Sequence, residues 1–261
     1  MNHRTTLLAV AAAAGLLAGA AQAQPATVAK PAKAMQFLTI AQLDPAMMLP
    51  PPVKDGSDLQ KAELADVEQV YRNRTPERRA RAEWDDKHES AELFFGVLGP
   101  NFDLAKLPAT AKLLAAEDEE QSIATNIAKR YFLRNRPWAI DPSLVACDYK
   151  PNAAPLTSYP SGHATLAYSS GYILAQLMPE KSQAILERAG DYAYSRVVCG
   201  AHYRSDIEAS HVFGAELAMM LMDNPKFAAL FKASQNELRA AGLTRAPAAV
   251  TADRAKVRPA G

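Results

Sequence analysis

The sequence predicts an all-α fold, a single-domain helical bundle with an extended proline-rich N-terminal arm, on three observations. Between Asp58 and Gly242, proline, glycine and hydroxyl residues punctuate stretches of helical apolar spacing. No segment alternates with the period of two that a strand requires. The chain has 261 residues, 49% of them hydrophobic and 22% charged, enough to bury a sizeable core without a cofactor.

Residues 1–23 read as a secretory signal peptide. A basic start at Arg4 is followed by the apolar run Leu7 to Ala20, and Ala21-Gln22-Ala23 offers small residues for cleavage after Ala23. The run is shorter than the roughly 20 residues a spanning helix needs. Another apolar stretch, Ile207 to Met222, is interrupted by Glu208, His211 and Glu216, so no membrane insertion is expected. Residues 24–57 form the arm, where Leu49-Pro50-Pro51-Pro52 favours an extended conformation.

Helices are expected at 58–73, 76–95, 103–115, 118–134, 163–177, 180–196, 206–222 and 225–240. Their boundaries rest on Thr75 before Pro76, Pro179 near a first turn, Ser205 before Asp206, Asn224 before Pro225, and Gly242 after the last helix. The tail 243–261, rich in Ala, Arg, Pro and Thr, lacks apolar periodicity and is expected to be disordered. The stretch Arg72 to Arg81 is interleaved and flanked with acids, Glu77 and Glu83 to Asp86, and reads as a solvated, salt-bridged face.

Charge narrows the function. There are 29 Lys+Arg against 28 Asp+Glu, and removing residues 1–23, which hold one basic residue and no acid, leaves 28 of each. A nucleic-acid binder would carry a basic excess, so nucleic acid is excluded as a partner. The two cysteines, Cys147 and Cys199, are an even count in an exported chain and favour one disulfide; two buried free thiols are the alternative. A bridge would close a loop worth roughly 4 kcal/mol.

Three segments carry the chemistry. In the first, Lys129 and Arg136 lie seven residues apart, two helical turns, ahead of Pro137. In the second, Pro160-Ser161-Gly162-His163 makes a turn in which Ser161 caps a helix, and backbone N–H groups at such a start cradle anions. In the third, Ser195-Arg196 is followed by His202 and, one turn later, Asp206; a carboxylate there fixes one imidazole nitrogen and leaves the other as nucleophile. Guanidinium forks and backbone amides suit the charge spread over a phosphoryl group.

Taken one at a time, His163 is more often a helix-cap histidine than an acid, and Lys129 and Arg136 more often surface charges. His88 and His211 have no matched role and are left as structural. Two histidines, one Asp and surrounding cations are a poor home for a divalent metal, so no metal and no cofactor are expected.

The three segments together resemble the signature of the type 2 phosphatidic acid phosphatase and vanadium haloperoxidase superfamily: Lys, six residues, Arg-Pro; Pro-Ser-Gly-His; Ser-Arg, five residues, His, three residues, Asp. From about Leu38 to Gly242 the chain is similar to class A bacterial non-specific acid phosphatases. Departures are Thr157 and Ala164 around the central motif and Tyr203-Arg204 after His202.

The resemblance implies a metal-independent acid phosphatase acting on small phosphate monoesters in the periplasm or outside the cell. In it His202 attacks phosphorus to form a phosphohistidine, Asp206 orients it, and His163 serves as acid and then base. Lys129, Arg136, Ser161, Gly162 and Arg196 would hold the phosphoryl oxygens. It also implies a homo-oligomer, a dimer, and transfer to alcohols as a side activity. The alternatives are a vanadate-dependent haloperoxidase, a lipid phosphatase, and a non-catalytic periplasmic anion-binding protein.

Overall fold

The computed structural model describes residues 34–147 and 153–245. Residues 1–23, expected to be a signal peptide, and most of the tail lie outside the described residues, and so do the first ten positions of the arm. Among the described residues every regular element is helical, and no helix is long and apolar enough to cross a membrane.

The elements run α1 (Pro45–Met48), α2 (Asp58–Asn73), α3 (Pro76–Lys87), α4 (Phe95–Leu98), α5 (Pro108–Phe132), α6 (Pro137–Ile140), α7 (Gly162–Leu177), α8 (Ser182–Val198), α9 (Arg204–Asp223) and α10 (Pro225–Ala240). Several caps fall where the sequence places them. Thr75 accepts from the Arg78 amide at the start of α3, Asn224 accepts from Lys226 and Phe227 at the start of α10, and Gly242 takes φ 68° after it.

Several boundaries differ from expectation, three of them for a visible reason. The helix expected over 76–95 stops at Lys87, because Ser90 caps a new turn at Ala91–Phe94 by accepting from the Glu92 amide. The two helices expected at 103–115 and 118–134 are one, α5. Its acidic middle interrupts the apolar pattern yet folds into the helix, since the Glu117 carboxylate is bonded by the Ser169 hydroxyl and the Glu120 carboxylate by three backbone amides of the arm, Gln36, Phe37 and Leu38. Helix α9 starts at Arg204 rather than 206, because the Asp206 carboxylate accepts from the Tyr203 amide at 2.9 Å. Asp206, not Ser205, organises that helix start.

Helix α7 is central, packed between α8 and α9, with α5 and α10 alongside. The α7–α9 crossing is close enough that a Cβ on Gly214 would stand 2.9 Å from the Ser169 amide nitrogen and the Thr165 carbonyl. Phe94, Leu113, Ile173, Leu174, Phe213 and Leu217 fill the main core. The arm is extended but not featureless, with a turn at Ile40–Gln42 and the short α1. It is fastened to the bundle by the Glu120 bonds, by Phe37 edge-on to Phe227 at 5.3 Å, and by the Tyr159 hydroxyl donating to Pro50 O at 2.8 Å.

Part of the arginine-rich face is solvated as expected, with Arg72–Glu68 and Arg79–Glu83 pairs one turn apart. Its last acids turn inward instead. Asp85 is fully buried and takes Arg188 and the Ser195 hydroxyl.

Candidate active site

The three segments meet where α5 and α8 end and α7 and α9 begin. Lys129 lies in the last turn of α5, which ends on Leu133 in the left-handed conformation, φ 51°. For a branched residue that geometry costs roughly 1–2 kcal/mol, and it turns the chain back toward the bundle. Two backbone bonds then zip this segment to the approach to α7: Arg136 N to Pro155 O at 2.9 Å and Ser158 N to Arg134 O at 3.1 Å.

At the start of α7, the buried Ser161 accepts from the Ala164 amide, and its own N–H donates to Ser210 of α9 at 2.9 Å. His163 follows, with Nε2 3.1 Å from Asp86 O and Nδ1 3.2 Å from Glu89 Oε1. A Cβ on Gly162 would stand 3.5 Å from that same Glu89 oxygen and 3.8 Å from Lys129 Nζ, which fixes how near the helix start these groups lie.

Arg196, in the last turn of α8, is fully buried and donates from Nη1 to Asp86 Oδ1. Asp86 therefore fastens both Arg196 and His163. Beyond α8, Gly200 takes φ 68° and the chain turns to His202. The Cys147–Cys199 disulfide is formed here, and it ties the His202 loop to the segment that leads into α7. Arg136 Nη1 reaches Ala201 O, next to His202, at 3.4 Å, and its Nε donates to Thr157 Oγ1 at 3.1 Å. Thr157, a departure from the family pattern, thus holds one of the cations.

His202 is 1% exposed, and its Nδ1 lies 3.4 Å from Asp206 Oδ2. That carboxylate is the best-supplied acceptor of the cluster. Oδ2 also accepts from the Ser158 hydroxyl at 2.6 Å and the Tyr203 amide, while Oδ1 accepts from Arg134 Nη1 at 2.6 Å. Arg134 in turn bonds Ser205 Oγ and Glu63, and its guanidinium lies 4.1 Å over the Tyr203 ring. Burial raises the Asp206 pKa, and Arg134 with the two donors to Oδ2 opposes that rise.

In front of this cluster opens a cleft of about 510 Å³ lined by Asp86, Glu89, Arg136, Trp138, Thr157 and His163. Lys129, beside it, has its pKa brought down to about 7, first by burial and then by the positive Arg136, with Glu89 acting in the other direction. The contacts thus join Lys129, Arg136, Ser161, Gly162, His163, Arg196, His202 and Asp206 into one cluster. Among the described residues no group of three or more His, Cys, Asp or Glu side chains is placed to hold a metal ion.

The sequence reading missed Arg134, Ser158 and Glu63 behind His202, and Asp86 and Glu89 beside His163. Arg134 stands within the first segment, and its spacing to Asp206 is visible only in three dimensions. Asp86 sits among alternating charges that look solvated.

The family model for the PAP2 superfamily matches residues 114–227, a span that holds all three segments. Similarity extends beyond it. An acid phosphatase of Zymomonas mobilis is 30% identical over 208 residues, 76% of each chain. A non-specific acid phosphatase of Providencia stuartii is 30% identical over 201 residues, 75% of this chain and 81% of its own. The chain belongs to the PAP2 superfamily. Within that superfamily its similarity runs to bacterial acid phosphatases, as the resemblance of the three segments implies. A shorter match, 31% over 139 residues, is to a non-specific acid phosphatase of Salmonella typhi, covering 52% of this chain and 56% of that one.

Proposed function

We propose that this chain is an exported acid phosphatase that hydrolyses phosphate monoesters through a phosphohistidine on His202. The observation that carries the reading is the buried His202–Asp206 pair, backed by Arg134 and set beside Lys129, Arg136 and Arg196. A carboxylate on Nδ1 fixes the tautomer in which Nε2 holds the lone pair.

In this mechanism the phosphoryl oxygens take the three cations and the backbone N–H groups at the start of α7. His202 Nε2 attacks phosphorus as the bond to the ester oxygen breaks, and His163 gives its proton to the leaving alkoxide. Water, deprotonated by His163, then cleaves the P–N bond, releasing phosphate and restoring both histidines. An alcohol in place of water gives phosphotransfer. Positive charge comes from side chains, so the scheme calls on no metal. Export rests on residues 1–23, and a homodimer on the family resemblance.

The test is hydrolysis of an aryl phosphate with and without chelator, and with an added alcohol. The reading expects turnover in the acid range that chelator leaves unchanged, and an alkyl phosphate among the products. Tight phosphate binding with no turnover would replace it with the non-catalytic reading. Activity that stays flat from about pH 4 to about pH 9 would remove the acid and base roles of the two histidines.

A further inference from the structure

The phosphatase reading gives Glu89 no task, yet its carboxylate stands closer to His163 than any other acid side chain of the described residues. Its neighbours define what it does there. Asp86 O, a carbonyl, only accepts, so the 3.1 Å contact assigns a hydrogen to His163 Nε2. The proton that His163 exchanges is then the one on Nδ1, and Nδ1 faces Glu89 Oε1 at 3.2 Å. A leaving-group oxygen must come within about 2.6–3.2 Å of the same nitrogen to receive that proton. One N–H cannot serve both oxygens.

The second line of evidence is where this carboxylate lies. The same Glu89 oxygen is 3.5 Å from the position a Cβ on Gly162 would take, with Lys129 Nζ 3.8 Å from that position. A negative group therefore lies close to the helix start and the lysine that suit a phosphoryl oxygen. Nearly half of the Glu89 side chain is exposed to the cleft, so it has room to swing out.

We propose that Glu89 is a built-in competitor of the substrate: in the resting enzyme its carboxylate holds the His163 Nδ1 proton and stands in the anion cradle, and substrate binds by displacing it or by meeting it protonated. This rests on the phosphatase reading and adds to it a residue that restrains phosphate binding as pH rises. The groups facing Glu89 are His163 of α7, Lys129 and Asp118 of α5, Arg196 and Tyr192 of α8, and Asp86 of α3. Desolvation of the half that faces the protein raises its pKa, Arg196 and then Lys129 oppose that rise, and the two acids add to it. It therefore ionises above the usual carboxylate range, so the restraint is weak in acid and grows toward neutrality.

The experiment measures the affinity of inorganic phosphate by calorimetry for wild type, Glu89→Gln and Glu89→Ala between about pH 4 and about pH 6.5. Over this window Lys129 remains mostly charged. Both variants are expected to bind phosphate roughly tenfold tighter than wild type at about pH 6, with the ratio falling toward one near pH 4. A ratio near one throughout, or weaker binding by both variants at every pH, would overturn the proposal, the latter by making Glu89 a substrate-holding group. Binding is read without turnover. A wild type that binds phosphate but hydrolyses nothing would end the phosphatase reading and leave the ratio to judge Glu89.

Discussion

The two histidines of the site are held in opposite ways. His202 is sealed from solvent, and its carboxylate partner Asp206 is fixed by a buried arginine, a serine hydroxyl and a backbone amide. His163 faces the open cleft, and its carboxylate partner Glu89 is exposed. Under the proposed mechanism that difference matches what each histidine would have to do. A nucleophile that forms and breaks a covalent bond to phosphorus benefits from one fixed geometry. A group that passes protons to a leaving alcohol and then from water needs access and a partner that moves.

Six substitutions, one of them read through a pH profile, test that contrast. The largest effect belongs to the sealed side. His202→Ala should lower kcat by roughly 10³-fold or more, because no other group supplies the nucleophile. Residual kcat within tenfold of wild type would transfer that role elsewhere.

Arg134→Ala should cost about 3–5 kcal/mol in chemical denaturation, since it strands the buried Asp206 carboxylate and Glu63 without their cation. The matched change on the cleft side, Arg136→Ala, should leave stability within about 1 kcal/mol and act on KM. Equal destabilisation by the two would erase the distinction between the sides.

Cys199→Ser removes the bridge to Cys147 and should lower stability by about 2–4 kcal/mol. Because the bridge ties down the His202 loop, kcat should fall with it. A melting temperature indifferent to reductant would show that the bridge does not restrain the protein.

The pH profile reports the cleft side. The Lys129 pKa is lowered to about 7, so its ammonium is charged below that value and lost above it. kcat/KM should therefore decline through about pH 7, and Lys129→Arg, which stays charged, should extend the alkaline limb. An unmoved limb in that variant would show that Lys129 does not set the decline.

The smallest effect is at the α5 terminus. Leu133 occupies a left-handed position that glycine adopts without strain, so Leu133→Gly should stabilise by about 0.5–1 kcal/mol. Destabilisation would mean that Leu133 contributes packing that its half-exposed side chain does not suggest.

What was legible in the sequence divides along the same line. The helices followed from apolar spacing and caps, and the three segments were readable because each packs its chemistry into a few consecutive residues. Asp206 was found one turn from His202, since both belong to one segment. Arg134 was in plain view between Lys129 and Arg136, but its partners Asp206 and Glu63 lie about seventy residues away in either direction, and no local pattern encodes such a pairing. Asp86 and Glu89 were hidden differently. They sit at the end of a stretch whose charges pair with neighbours one turn away; Asp86, still inside α3, meets Arg196 of α8, and Glu89 lies just past the end of α3, ahead of the Ser90 cap, where it meets His163 of α7. The acidic centre of α5 misled in the reverse sense: its carboxylates look like a helix break and are instead anchors for the arm and for α7.

In the proposed mechanism His202, and not His163, bonds to phosphorus. Acid quench during turnover of a radiolabelled aryl phosphate tests it directly. The account predicts acid-labile label on wild-type protein and on His163→Ala, and none on His202→Ala. Label retained on His202→Ala would contradict it.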